Sequence, residues 1–274
     1  VKDEEIYKQL EELCKDRITI ISHCGYDKEG QFISWSDLFN HSVFDGMMLS
    51  DGYIEKRSES SSARFRLSCK YEEFARCFAN YTGIGKNINL ASHSYSDKRT
   101  NKTYTGYRLD SKSNYEFVLQ HTRWYPNGKK IVPRDIILDR TTLLWWYLGD
   151  GHLNKKKARP NYRRVVLSTQ GFVNEDIDFL KSKVVEKFGE DSVYIENRNI
   201  IIGRKALCKF AKEMGNKSPV NCYQYKFDFG PYVDENYWEK SFEDRPLKYI
   251  NEYRRKNKVR ELKYTEKREI SHDK

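Results

Sequence analysis

The sequence predicts an α+β protein of two similar halves, each running helix, two strands, helix, two strands, helix (αββαββα). Three observations predict it. An apolar run closing on a small residue, an aspartate and a glycine occurs twice, as Phe44-Asp-Gly-Met-Met-Leu-Ser-Asp51-Gly52 and as Leu143-Leu-Trp-Trp-Tyr-Leu-Gly-Asp150-Gly151. After each run the apolar residues change from helical spacing to strict alternation. The elements that follow then repeat in the same order, and such self-similarity outweighs any single motif.

Residues 1 to 36 read as an extension. Ile6, Leu10 and Leu13 fall at helical spacing, Ile18 to Ile21 reads as a short strand, and Asp27 to Gly30 as a turn. The first repeated unit spans 37–135, with Asp37 as the expected N-cap of its apolar helix, which runs on through Met48 to Asp51. A strand begins at Tyr53, and its partner alternates Ala63, Phe65, Leu67 and Cys69 with Arg64, Arg66 and Ser68. Tyr71 to Tyr81 is helical and stops at Thr82-Gly83, residues 88 to 95 and 103 to 110 form a second hairpin, and Tyr115 to Tyr125 is the closing helix.

The second unit, 136–238, repeats this order. Leu143 to Asp150 is helical, Gly151 to Lys156 pairs with Arg163 to Thr169, and Glu175 to Phe188 is a helix. Ser192 to Glu196 and Ile200 to Gly203 form a hairpin, and Lys205 to Met214 closes the unit. Lys70 and Gln170 each fall three residues after a matched leucine, Leu67 and Leu167. Residues 239–274 form a basic tail with helical character, and the part from 247 onwards contributes half of the net charge of +10.

An aspartate in the last turn of a helix opposes the partial negative charge already there. One such residue only ends a helix with its glycine. Two in matched places indicate paired helices that deliver Asp51 and Asp150 to a common site.

A net charge of +10 with 14% aromatic residues, twenty of them tyrosine, suits a polyanionic partner. The six cysteines (14, 24, 69, 77, 208 and 222) lack C-x-x-C spacing and read as reduced packing residues, with neither a zinc site nor a disulfide framework. The six histidines are dispersed without ligand spacing. No membrane-spanning run or signal peptide is read, so an intracellular protein of unspecified compartment is expected.

Taken together, these residues resemble the LAGLIDADG homing endonucleases in their single-chain, two-motif form, over about residues 38 to 230. Three further segments carry the likeness: Trp124-Tyr-Pro-Asn-Gly-Lys-Lys130-Ile-Val-Pro133, Val166-Leu-Ser-Thr-Gln170-Gly-Phe172 followed by Glu175 and Asp176, and Ser218-Pro-Val-Asn-Cys-Tyr-Gln-Tyr-Lys226-Phe227. Leu49 and Leu148 replace the first aspartate of the motif, which is not the metal ligand. Gly46 fits the small residue that lets the helices approach, whereas Trp145, in the matched place, departs from it and leaves the helix separation open.

The resemblance implies two lobes packed through the motif helices, each with a curved antiparallel sheet, the pair forming a DNA-binding saddle. It implies a monomeric, site-specific endonuclease that cuts both strands of a long duplex and leaves short 3′ overhangs. Its gene would be intron-encoded or free-standing rather than part of an intein. Asp51 and Asp150, helped by the carbonyls of Ser50 and Gly149, would hold two or three Mg2+ ions, with Mn2+ or Ca2+ able to replace them for binding. Lys130 and Lys226 would polarise water or stabilise charge, Lys129 being the solvated neighbour, and Lys70 and Gln170 would position water. The DNA-binding candidates are Tyr53, Glu55, Arg57, Arg64, Arg66, Ser92, Ser94, Tyr104, Arg108, His152, Asn154, Lys156, Arg164, Glu196 and Asn199. Two rival readings stay open: an intron RNA maturase that binds its host RNA, and a non-catalytic DNA-binding regulator.

Overall fold

The computed structural model describes residues 25–26, 32–33, 39–56, 62–85, 88–97, 101–156, 159–234 and 237. A two-stranded antiparallel pair, Gly25–Tyr26 (β1) and Phe32–Ile33 (β2), brackets the expected turn. The other features expected of residues 1–36, together with Asp37, Arg57 and the basic tail, lie outside the described residues.

The first half comprises α1 (His41–Met48), β3 (Gly52–Lys56), β4 (Ala63–Cys69), α2 (Glu72–Tyr81), β5 (Ile88–Asp97), β6 (Lys102–Ser111) and α3 (Tyr115–Trp124). The second comprises α4 (Arg140–Asp150), β7 (Gly151–Lys156), β8 (Arg159–Ser168), α5 (Asn174–Phe188), β9 (Val193–Glu196), β10 (Asn199–Ile202) and α6 (Arg204–Met214). A 3-10 helix over Asn221–Phe227 follows α6. The expected order is therefore present in both halves. Each half builds one four-stranded antiparallel sheet with the same topology, β3-β4-β6-β5 and β7-β8-β10-β9.

Alternation along the strands assigns the faces. In β4, Ala63, Phe65 and Leu67 are buried against α2 and α3, while Arg64, Arg66 and Ser68 point away from that core. Leu67 and Leu109 pair across β4 and β6, and Leu167 and Ile200 pair across β8 and β10, so apolar rows run beneath both sheets.

The central layer is the α1–α4 pair. Val43, Phe44, Met47 and Met48 of α1, and all residues from Leu143 to Leu148 of α4, are buried. An aromatic cluster of Phe39, Phe44, Phe65 and Phe117 fills the first lobe, and Tyr147, Phe210, Phe227 and Phe229 fill the second. Among the described residues, no disulfide joins Cys69, Cys77, Cys208 and Cys222, and no helix is long and apolar enough to cross a membrane.

Candidate active site

The two motif helices begin alike. Asn40 caps α1 by accepting the Val43 amide at 3.1 Å, and Asp139 caps α4 by accepting the Thr142 amide at 2.7 Å. These caps share the offset that separates Asp51 from Asp150, so the helices match from their first residue. The cap of α1 is thus Asn40, whose side-chain oxygen reaches the first-turn amide. Ser42 Oγ donates to the free oxygen of Asp139 at 2.6 Å and ties the two starts together.

Trp145 does not hold the helices apart. A Cβ on Gly46 would stand 2.4 Å from the Thr142 carbonyl oxygen and 2.7 Å from Trp145 Cβ, so the backbones touch because Gly46 has no side chain. The indole leaves the contact sideways into the first lobe, stacking on Phe74 at 5.8 Å and meeting Phe78 edge-on at 5.7 Å. Nearer the aspartates, a Cβ on Gly149 would stand 2.2 Å from Ser50 Oγ. The contact between the helices is therefore glycine-limited at both levels.

The motif glycines act otherwise than expected. Gly151 has φ −82° and ψ 151°, an extended geometry open to any residue, and α1 ends at Met48, with Asp51 in the turn before β3. These glycines are needed for space. A Cβ on Gly52 would stand 2.8 Å from the Met47 carbonyl oxygen, and one on Gly151 would stand 2.5 Å from the Tyr147 carbonyl oxygen.

Asp51 and Asp150 emerge together at the end of this contact. Burial, then the charge of Asp51, pushes the Asp150 carboxyl up to about 6. Burial also raises Asp51, and Lys130 and Lys226 oppose the rise in both. Burial lowers each of these lysines to about 8, against the pull of Asp150 and Asp51. Four ionisable groups from both halves thus share one electrostatic site.

Each lysine folds back over the end of its own motif helix. Lys130 Nζ donates to the carbonyls of Ser50 at 3.2 Å and Gly52 at 2.7 Å, while Lys129 is exposed. Lys226 Nζ donates to the carbonyls of Leu148 at 2.6 Å and Gly149 at 3.1 Å. Tyr147 Oη donates to the Lys226 carbonyl at 2.6 Å and anchors that backbone. Lys70 and Gln170 lie exposed just beyond β4 and β8, and Lys70 Nζ sits 5.0 Å from the Tyr71 ring centre.

The donor set fits a hard divalent cation. It offers two carboxylates whose ionised forms disfavour one another, together with oxygen-only backbone groups. The Ser50 and Gly149 carbonyls accept from lysine, and a carbonyl oxygen keeps a second lone pair. Among the described residues no cluster of three His, Cys, Asp or Glu side chains forms a conventional metal centre, so a cation here would need further oxygens from water or phosphate.

The outer faces of the two sheets carry most of the candidate recognition residues. Tyr53 pairs with Arg66, Glu55 with Arg64, and Ser68 with Arg108. On the second sheet the registers His152 with Val166, Asn154 with Arg164, and Asn199 with both Ser168 and Glu196 place those residues on one face. Lys156 lies beyond a register shift.

Ser92 and Ser94 are exposed, but on the opposite face of β5 from Arg108. They pair with Tyr107 and Thr105, in phase with the Leu90–Leu109 pair on the core side, whereas Asn89 and His93 share the face of Arg108. The β5–β6 register runs without a shift, so Leu90 fixes the phase.

Ion pairs orient these side chains. Arg66 bridges Glu55 at 2.8 Å and Asp110 at 2.5 Å, and Asp110 also holds Arg108 at 3.0 Å. Arg164 forks onto Glu196 at 2.5 and 2.9 Å. Asp110, Asn89, His93 and Tyr194 were not singled out in the sequence. The phase set by Leu90 was the signal for the middle two.

A sequence pattern described as the LAGLIDADG DNA endonuclease family (LAGLIDADG_2) matches residues 41–203, more than half of the chain. Uncharacterized protein MJ1098 of Methanocaldococcus jannaschii is 31% identical over 148 residues, which are 54% of this chain and 56% of that protein. The match therefore spans little more than half of that relative. The homing endonuclease I-WcaI, solved bound to its DNA recognition sequence, has the same fold at a TM-score of 0.59 and 18% identity, over 81% of this chain and 93% of that one.

Proposed function

Because the chain belongs to the LAGLIDADG DNA endonuclease family, we propose that it is a monomeric homing endonuclease that hydrolyses both strands of a long DNA site with Mg2+. The observation that carries this reading is the shared site itself. Two aspartates meet at a glycine-limited helix contact, and each helix end holds one lysine, Lys130 half-buried and Lys226 buried.

Asp51 and Asp150, with the Ser50 and Gly149 carbonyls, would hold the cations. Bound there, divalent ions supply positive charge to the phosphoryl oxygens and the leaving oxygen. Mn2+ or Ca2+ would replace Mg2+ for binding. Lys130 and Lys226 would each orient the attacking water at one strand and place a cation beside the charge that develops on the phosphate. At about 8 they stay mostly protonated at neutral pH, yet release a proton far more readily than an exposed lysine. Two such half-sites, one per strand, support a double-strand cut, and short 3′ overhangs are what the family resemblance implies.

The two sheets would lie in the major groove. Arg64, Arg66, Arg108 and Arg164 would read base edges or phosphates, with Tyr53, Tyr104, His152, Asn154 and Asn199 beside them. An intron-borne or free-standing gene suits the proposed activity.

Retention of both aspartates and both inward lysines favours the nuclease over the RNA maturase and the regulator. The test uses a duplex made by joining the two sequences that flank the gene, incubated with the protein and Mg2+. Cleavage at one position in both strands is expected. Tight binding without a cut in Mg2+ or Mn2+ would leave the regulator, and binding of the host intron RNA alone would leave the maturase.

A further inference from the structure

The segment that carries each lysine is held by a carboxylate from the other lobe. Glu73, in the first turn of α2, accepts the Asn221 amide at 2.7 Å and the Cys222 amide at 3.1 Å. These amides open the 3-10 helix that carries Lys226. Asp176, in the first turn of α5 and 2% exposed, accepts the Val132 amide at 3.1 Å. Its other oxygen pairs with Arg134 at 2.9 Å, so it grips the chain on the far side of Lys130.

The two grips are matched in kind. Both acids sit in the first turn of the helix that follows a lobe's first hairpin, where a negative charge also suits the helix dipole. Both reach across to backbone amides rather than to a side chain alone. Aromatic contacts follow the same crossing. Tyr223 packs edge-on against Tyr71 and Phe74 of the first lobe and lies 4.5 Å beneath Lys226 Nζ. Lys130 Nζ lies 5.7 Å from the ring of Phe172, which belongs to the second lobe.

We propose that Glu73 and Asp176 are crossed positioning residues, each holding the catalytic lysine of the opposite lobe in place, so that each half-site is completed only by the docked partner lobe. This rests on the endonuclease reading for its catalytic consequence, though not for the geometry. Glu73 would act through Lys226 on one DNA strand, and Asp176 through Lys130 on the other. A displacement of about 1 Å at such a group is enough to cost on the order of a hundredfold in rate.

The test compares Glu73→Ala and Asp176→Ala with wild type on the joined-flank duplex, labelled separately on each strand, under single-turnover conditions in Mg2+. Expected is a loss of at least about tenfold on one strand for Glu73→Ala and on the opposite strand for Asp176→Ala. Affinity for the duplex in Ca2+ should stay near that of wild type. Glu73→Gln and Asp176→Asn, which keep one acceptor oxygen, should give intermediate losses with the same strand bias, and they serve if an alanine variant does not fold. Equal slowing of both strands, slowing of the same strand by both variants, or no slowing would overturn the proposal.

Amide hydrogen exchange of the metal-free protein gives an independent readout. Glu73→Gln should speed exchange at Asn221 and Cys222 but not at Val132, and Asp176→Asn the reverse; unchanged exchange in both would also overturn it. If wild type cuts no DNA, the endonuclease reading fails while this exchange test still decides the crossed grip.

Discussion

Gly46 and Trp145 occupy equivalent positions in the two motif helices, and they touch each other: a Cβ on Gly46 would stand 2.7 Å from Trp145 Cβ. The smallest and the largest residue thus share one level of the helix contact. Glycine lets the backbones meet, and tryptophan sends its ring into the opposite lobe.

This pairing makes a stability prediction. Gly46→Val should destabilise the protein severely, because Cβ already collides with backbone. Trp145→Ala should cost about 3–5 kcal/mol by emptying the space beside Phe74 and Phe78. Trp145→Phe should cost much less, since the buried indole Nε1 has no hydrogen-bond partner to lose. Chemical denaturation of the three variants checks the order; equal losses for Trp145→Ala and Trp145→Phe would contradict it.

The acid pair makes a prediction about pH. Burial and Asp51 hold the folded Asp150 carboxyl near 6, above its ordinary value, so the folded state binds that proton more tightly than the unfolded chain does. Metal-free stability should therefore fall as pH rises from about 4 through about 6. Asp150→Asn should raise the metal-free stability at pH 7 by an amount on the order of 1–3 kcal/mol, seen as a higher Tm, and flatten this dependence. Thermal melts in chelator across that range would show it, and a destabilised Asp150→Asn at pH 7 would count against the reading.

Strand parity makes a prediction about binding. Arg66→Ala and Arg164→Ala should each weaken specific binding by about 1–3 kcal/mol and relax the preference at one or two base pairs. His93→Ala should have a smaller effect in the same direction, while Ser92→Ala and Ser94→Ala should leave affinity and preference unchanged. Titration against single-base variants of the cleaved duplex separates these outcomes.

The element order and the two aspartates were legible because they are written as periodicity and repetition. Leu143 to Leu148 are apolar on every side and could only be a buried helix. Arg66 and Arg164 were legible as the polar partners of buried neighbours. The face of Ser92 and Ser94 was not legible because both faces of β5 are polar beyond Leu90, so composition alone could not fix the phase. Asn40 was hidden by a second good capping residue, Asp37, three places earlier. The roles of Glu73 and Asp176 were not legible, since their partners are backbone amides 148 and 44 residues away, and an amide leaves no mark in a sequence.

The central claim is that Asp51 and Asp150 form one shared, cation-dependent cleavage site. The most direct measurement is cleavage of the joined-flank duplex in Mg2+ by wild type, Asp51→Asn and Asp150→Asn, with binding in Ca2+ followed alongside. Wild type should cut both strands, and each single substitution should abolish the double-strand cut while the folded protein still binds the duplex. A full double-strand cut by either variant would show that the two carboxylates do not share the chemistry.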